Sequence, residues 1–456
     1  MPNVVFILTD DQGPWALGCA GNEEIRTPNL DRLAGEGVRF ENFFCASPVC
    51  SPARASLVTG KIPSAHGVHD YIRERNMPPR PVAYLEGMTC YTDLLAEAGY
   101  TVGLSGKWHL GDSLTPQHGF SHWFCMPTGG SKYNDAEMIR EGKVQVCGGY
   151  LSDVIADDAI AFIDANKDRT FYLSVHFNAP HSPWDGHPPD IVDSYDDCPF
   201  KSCPQEAAHP WIRPMMRRHL GNRGSLKGYF AAVMAMDLNV GRILEKLGEL
   251  HLRESTLVVF ASDNGFSCGH HGFWGKGNGT YPLNMYENSV KVPLIVSHPG
   301  RIPAGKVSDA MASQYDFMPT LLDYLGLPAV DDPLLPGRSF AGVLAGKTDQ
   351  AGEQVVVYDE YGPVRMIRTP EWKYVHRYPY GPHELYDLVG DADERDNLVD
   401  DKSKRSVVAE MRKRLSDWFA RYVDPRLDGA KLPVDGAGQV ERIDRDHCGE
   451  AAFYSD

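Results

Sequence analysis

Positive charge is scarce in this chain. Its 456 residues include 45 Lys and Arg against 61 Asp and Glu, a formal net charge of −16. A general nucleic-acid binder needs a basic face to displace counterions, so this balance argues against that class of partner. It also weighs against a broad groove for long polyanions, although a few local cations suffice for a small anionic group. Long hydrophobic runs are missing too, and no stretch is long enough to span a membrane. Met1-Pro2-Asn3 passes directly into Val4-Val5-Phe6-Ile7-Leu8, without a basic segment or a small-residue cleavage site. The expectation is a cytoplasmic protein with no membrane partner. Ten cysteines are scattered through a chain that is not small, so reduced thiols are expected rather than a disulfide framework. Cys198 and Cys203 read as loop cysteines ahead of a bridge or a metal site. Internal repeats and low-complexity segments are absent. What is present is 42 % hydrophobic residues with aromatics throughout, enough for a large core and more than one domain.

The apolar run 3–9 ends in Asp10-Asp11 and reads as a buried parallel strand. Thr27 is placed to cap a short helix opened by Pro28 and stopped near Gly35 and Gly37. Strands are expected at 38–44, 100–105, 170–177, 256–262 and 292–297, the fourth ending in Asp263-Asn264. Helices are expected at 91–98 (capped by Thr89), 151–166, 226–250 and 316–325. This alternation predicts a doubly wound, mostly parallel α/β sheet flanked by helices. In such sheets the residues just past the strand ends face the ligand crevice. Composition shifts after Pro336-Gly337. Short strands at 355–360, 364–368, 372–377 and 383–388, then a helix at 404–422, predict a smaller α+β domain with an antiparallel sheet. The division is a catalytic domain at 1–340 and a C-terminal domain at 341–456.

Chemistry gathers at the strand ends. Asp10, Asp11, Asp263 and Asn264 form a hard-oxygen set that suits Ca²⁺, or Mg²⁺, better than a soft metal. A lone Asp-Asp more often fills a turn, but two such pairs in the same strand-end context favour the metal. Cys50 would ordinarily be a buried structural thiol. Here Pro52 suits a first helical turn, which puts Cys50 near a helix amino terminus where N–H groups and the dipole favour an anion. Arg54 lies one turn on, on roughly the same face. Lys107 and His109 follow one strand and His181 follows another. Lys276 follows the Asp-Asn pair, with His270 and His271 just before it. Singly, each lysine reads as a surface charge and each histidine as a loop residue. Together they offer cations for an oxyanion and imidazoles to move protons.

The run Cys50-Ser51-Pro52-Ala53-Arg54, closed by Thr59-Gly60, resembles the signature by which type I sulfatases mark a cysteine for oxidation to formylglycine (3-oxoalanine). That family is the formylglycine-dependent branch of the alkaline phosphatase superfamily. The resemblance runs from Asn3 to about Leu398. It includes Leu8-Thr9-Asp10-Asp11-Gln12-Gly13, Thr27-Pro28-Asn29-Leu30-Asp31-Arg32-Leu33, Gly106-Lys107-Trp108-His109, Pro180-His181, Ser262-Asp263-Asn264-Gly265, Trp274-Gly275-Lys276 and Glu384-Leu385-Tyr386-Asp387-Leu388. Two departures stand out: Ala53 where the family usually has serine, and Asn288-Ser289 where it often has Gly-Gly.

The resemblance implies a sulfuric ester hydrolase acting on a sulfated carbohydrate or another small sulfate ester, matured by a formylglycine-generating enzyme. By the same resemblance Asp10, Asp11, Asp263 and Asn264 would hold Ca²⁺ together with the residue formed from Cys50. Arg54 and Lys107 would stabilise the nucleophile and Lys276 the sulfate or leaving oxygen. His181 would protonate the leaving alcohol, His109 would take a proton from the second hydroxyl, and His271 would line the substrate pocket. Two alternatives stand beside it: a phosphodiester or phosphonate monoester hydrolase on the same fold, and a non-catalytic anion-binding relative unmodified at Cys50. Substrate choice is expected from the loops at 129–149 and 185–223, with Asp185, His187 and residues 211–218 read either as pocket lining or as solvent-facing. Oligomeric state is not legible.

Overall fold

The computed structural model describes residues 1–349, 357–443 and 449–454. Its strands are β1 (Asn3–Asp10), β2 (Val38–Phe44), β3 (Thr101–Gly106), β4 (His122–Cys125), β5 (Asn134–Arg140), β6 (Lys143–Tyr150), β7 (Phe171–Pro180) and β8 (Thr256–Ser262). They continue with β9 (Ser267–Cys268), β10 (Trp274–Gly275), β11 (Leu294–Ser297), β12 (Lys306–Ser313), β13 (Val357–Tyr361), β14 (Val364–Arg368), β15 (Trp372–Arg377) and β16 (Glu384–Asp387). Ten of them form one sheet in the order β12-β2-β11-β8-β1-β7-β3-β4-β5-β6. β8, β1, β7, β3 and β4 run parallel, whereas β11 and the β5–β6 hairpin are antiparallel to their neighbours. This is the expected doubly wound, mostly parallel sheet.

The apolar run of β1 is continuous because both of its faces are covered. Val4, Phe6 and Leu8 enter one apolar cluster and Val5 and Ile7 the other, as a period of two requires. Helices Pro28–Gly35, Leu151–Ala165 and Arg223–Glu249 supply the second cluster, while Cys50–Thr59, Tyr91–Glu97 and Phe317–Leu325 supply the first. β13 to β16 form a four-stranded antiparallel sheet. One face, with Ile367, Tyr374 and Leu385, packs on Met411, Leu415 and Phe419 of helix Arg405–Tyr422. The other, with Val357, Met366 and Val375, joins the cluster that contains Phe6. Among the described residues no helix is long and apolar enough to cross a membrane.

Several local expectations change. Thr27 does not cap its helix through its side chain. Its hydroxyl accepts from Gly18 N at 2.8 Å and donates to Asp31 at 3.0 Å. The next cap is Cys90 rather than Thr89, with Asp93 accepting from Cys90 N at 2.9 Å. The long helix starts at Arg223, where Asn222 accepts from Ser225 N. A capping box from Ser313 to Asp316 forms a separate turn, so the helix expected from 316 begins at Phe317. β7 runs on to Pro180. Much of the stretch read as a loop at 129–149 is the β5–β6 hairpin, whose exposed, polar sequence carries no apolar run to betray it. The first two residues of the strand expected at 355–360 lie outside the described residues.

Candidate active site

Neighbouring parallel strands deliver their carboxyl ends to one place. Asp10 closes β1, Lys107 follows β3, His181 follows β7, and Asp263-Asn264 follow β8. Asp11 adopts φ 67°, a left-handed conformation uncommon outside glycine. It is held there by Asp263 Oδ1, which accepts from Asp11 N at 3.3 Å and from Asn264 N at 2.8 Å. Gln314 fixes the far side, its amide donating to the Asp263 carbonyl at 2.7 Å. Gly106, at φ +115°, lets β3 turn against β7, since a Cβ there would sit 2.0 Å from the His176 carbonyl oxygen.

Cys50 is the first residue of helix Cys50–Thr59, whose ten residues are all buried. Lys276 Nζ lies 2.8 Å from Cys50 Sγ and 2.5 Å from Asp11 Oδ1. Arg54 donates from Nε to Asp263 Oδ2 at 2.8 Å and from Nη1 to the Lys107 carbonyl at 3.1 Å. Lys107 pairs with Asp10. Three carboxylates thus face three cations within a few ångströms of one thiol, all removed from bulk solvent.

Those charges set the protonation states. Burial pushes Asp10 up, but Lys107, His181, Lys276 and Arg54 outweigh it and hold the carboxyl well below its ordinary range. Asp263 goes the other way, raised to about 7 by burial and by Asp10 against the pull of Arg54. Burial and Asp10 push the Cys50 thiol up to about 12, so as a plain cysteine it stays protonated near neutrality and is a poor nucleophile. Burial opposes the charge on Lys276, yet Asp11, Cys50 and Asp10 raise its pKa well above the usual value.

Asp10, Asp11 and Asp263 each place an oxygen within 4.8 Å of the others. Asp10 Oδ1 is buried with no hydrogen-bond partner. Asn264 adds an amide, with Nδ2 donating to Asp11 at 2.8 Å. A buried, unsatisfied carboxylate oxygen in an all-oxygen donor set fits Ca²⁺ or Mg²⁺ and does not fit a thiophilic metal. Cys50 Sγ, an Asp10 oxygen and a His181 nitrogen also lie within 4.8 Å of one another, so position 50 borders the set.

The two histidines differ in what they offer. His109 Nε2 is 2.9 Å from the Ile72 carbonyl, which can only accept, so Nε2 carries the proton. Burial and Lys107 hold the ring neutral, leaving Nδ1 a buried lone pair with no partner. His181 donates from Nδ1 to the Ser182 carbonyl at 2.8 Å and turns Nε2 toward Asp11, 3.9 Å away. Burial lowers its pKa, while Asp10 and Asp11 favour its charged form.

A cavity of about 490 Å³ opens onto Cys50, Asp11, His109, His181 and Lys276. The structure does not bring His271 there: it stacks on Tyr286 with ring centroids 4.0 Å apart, and its N–H donates to Glu206. His187 is buried against Tyr150 and Tyr133, and Asp185 is exposed outside the cavity. From 211–218 only Arg213, Met215 and Met216 reach the lining. Cys198 and Cys203 are free thiols. Tyr71, Arg73, Gly436 and Ala437 in the lining escaped the sequence reading, whereas Gly129 and Gly130 belong to the loop from which substrate choice was expected. The adjacent glycines were the available signal. A Cβ on Gly129 would meet the His109 ring at 2.1 Å and one on Gly130 would meet His181 at 3.2 Å.

A nucleophile position at a helix start, bordered by strand-end carboxylates and cations, defines a hydrolytic centre of the alkaline phosphatase superfamily type. The family model described as Sulfatase matches residues 2–327, and that described as N-sulphoglucosamine sulphohydrolase, C-terminal, matches residues 269–421. The chain belongs to the sulfatase family. It is 29 % identical to an N-acetylglucosamine-6-O-sulfatase of Bacteroides thetaiotaomicron, over 93 % of this chain and 87 % of the relative. It is 28 % identical to a choline-sulfatase of Rhizobium meliloti, over 88 % of this chain and 82 % of the relative. A solved structure described as BT4656 in complex with its substrate D-glucosamine-2-N,6-O-disulfate superposes with a TM-score of 0.79 and 26 % identity. That superposition covers 94 % of this chain and 99 % of the other.

Proposed function

We propose that this sulfatase hydrolyses the sulfate monoester of a carbohydrate, with Cys50 acting after oxidation to formylglycine and with Ca²⁺ held by Asp10, Asp11, Asp263 and Asn264. The observation that carries the reading is the Cys50 side chain itself: it sits at a helix start, borders a hard-oxygen cluster, touches Lys276 at 2.8 Å and faces an open cavity. The sugar class is supported by the relatives that act on hexosamine sulfates.

The hydrated aldehyde would supply the oxygen nucleophile, and the cation would neutralise charge on the sulfuryl oxygens. The chain's own groups do the rest. Lys276 meets the bound sulfate with a fixed positive charge. Arg54 and Lys107 keep Asp263 and Asp10 oriented while lending charge to the position-50 oxygen. His109 Nδ1 accepts a proton from the second hydroxyl. For His181 to protonate the leaving oxygen it must first take a second proton on Nε2, a state that burial opposes and that Asp10 and Asp11 favour. Closely spaced cations in a buried site act where water cannot screen them.

Mass spectrometry of the Cys50 peptide from the native host tests the modification, and kinetics on matched aryl sulfate and aryl phosphodiester tests the reaction. A converted peptide, a larger kcat/KM on the sulfate, and loss of turnover in folded Cys50→Ala are expected. A larger kcat/KM on the phosphodiester would overturn the sulfate assignment. An unmodified cysteine without turnover would favour an anion-binding protein.

A further inference from the structure

Arg73 and Arg213 line the same cavity as Cys50, yet neither makes an ion pair with a carboxylate among the described residues. In a chain with a net charge of −16, two unneutralised guanidiniums beside the reacting centre call for a reason. They are also held in place. Arg73 donates from Nη1 to the Ala437 carbonyl at 3.1 Å and lies 3.6 Å over the Tyr454 ring. Arg213 donates from Nη2 to the Asp435 carbonyl and lies 5.5 Å from the centroid of Tyr281. Its Nε is buried without a partner. The supporting segment is built for close approach: Gly436 and Gly438 sit at φ +89° and +117°, where a Cβ would come within 3.1 Å of Arg213 Nη2 and 2.9 Å of Arg73 Cβ.

This segment is tied to the catalytic side as well. Gln439 N donates to the Tyr71 carbonyl and Arg73 N to the Gln439 carbonyl, each at 2.8 Å, clamping the extended segment whose Ile72 carbonyl orients His109. Residues 435–439 lie beyond both family regions, which end at 327 and 421. Arg73 and Arg213 themselves lie inside the matched region 2–327, whereas the carbonyls that hold them come from Ala437 and Asp435. Backbone carbonyls and aromatic rings fix each guanidinium without spending its charge, which leaves further N–H groups on exposed Arg73 and half-buried Arg213 to meet an anion.

We propose that Arg73 and Arg213 form a second anion subsite, which selects substrates carrying another negative group, a sulfate or a carboxylate, beside the sulfate that is cleaved. The proposal rests on the sulfate-ester reading above. Its test compares kcat/KM on three substrates: a hexosamine with one sulfate, the same sugar with a second sulfate, and the same monosulfated sugar linked to a uronic acid. The parent enzyme is expected to prefer one of the two dianionic substrates over the monosulfated one by about 10-fold or more, the scale of a charge-assisted hydrogen bond. Which arm is preferred identifies the sulfate or the carboxylate. Arg73→Gln and Arg213→Gln should each cut that ratio several-fold, and Arg213→Lys should keep more of it than Arg213→Gln. Equal efficiency on all three substrates in the parent enzyme, or a ratio unchanged in both glutamine variants, overturns the subsite and leaves the sulfatase reading intact. No turnover of any of the three would instead sink the sulfated-carbohydrate reading, and the subsite with it.

Discussion

Replacing Arg54 by methionine tests the electrostatic frame of the site. The substitution keeps most of the apolar stem and removes the guanidinium, with its bonds of 2.8 Å to Asp263 and 3.1 Å to the Lys107 carbonyl. The side chains of Arg54 and Asp263 are 2 % and 0 % exposed, so water cannot take over. Deleting one partner of a buried pair costs about 3–5 kcal/mol, because the other charge is left uncompensated. The cost depends on pH in a defined sense. Asp263 already stands near 7 with Arg54 beside it, above the ordinary carboxylate value, so the native state holds a proton that the unfolded chain has lost. Stability therefore falls as pH rises through that window, and removing Arg54 extends the window upward. Urea unfolding of chelator-treated protein, in which no bound cation compensates Asp263, should show a larger deficit at pH 8 than at pH 5. Adding Asp263→Asn should recover part of the loss, since it removes the orphaned charge. A deficit under about 1 kcal/mol at pH 8, or a double variant no more stable than the single one, would refute the reasoning.

Two other outcomes follow from single residues. Lys276→Ala, which strips the ammonium from beside Cys50 and Asp11, should lower kcat on an aryl sulfate by about 10²–10³-fold, the usual loss for one preorganised oxyanion donor; a loss below tenfold in steady-state kinetics would remove Lys276 from the reacting centre. Asp359 is fully buried in β13 with neither carboxylate oxygen hydrogen-bonded, and burial, reinforced by Glu287 and opposed by Lys373, raises its pKa well above the ordinary value. The parent therefore loses stability as pH rises, and Asp359→Asn should gain thermal stability relative to it between pH 5 and pH 8. A difference that is flat with pH would mean that the carboxyl is ionised in the fold.

The core was legible because its strands are buried on both faces. β1 and β8 are unbroken apolar runs, and an abrupt carboxylate or amide after such a run marks a strand end. The start of helix Cys50–Thr59 was legible from Pro52. The edges were not. β5 and β6 expose most of their residues, so their composition is that of a loop. Thr27 and Thr89 were sensible caps by residue type, but the Thr27 hydroxyl is taken by Gly18 N and Asp31, and Cys90 with Asp93 makes the local box one residue past Thr89. His271 sits next to a motif in sequence, yet its ring stacks on Tyr286 instead of facing the cavity.

By itself, then, the order of residues determined which groups end the parallel strands and which thiol opens a buried helix, since both follow from short-range patterns of polarity and backbone preference. Tertiary structure alone decided what those groups meet. The partners of Arg54, Lys276 and His109 lie 209, 265 and 37 residues away, and no periodicity encodes such distances. The return of residues 435–439 over the cavity belongs to the same category: it depends on two glycines at positive φ and on carbonyls that find arginines only once the chain has closed on itself.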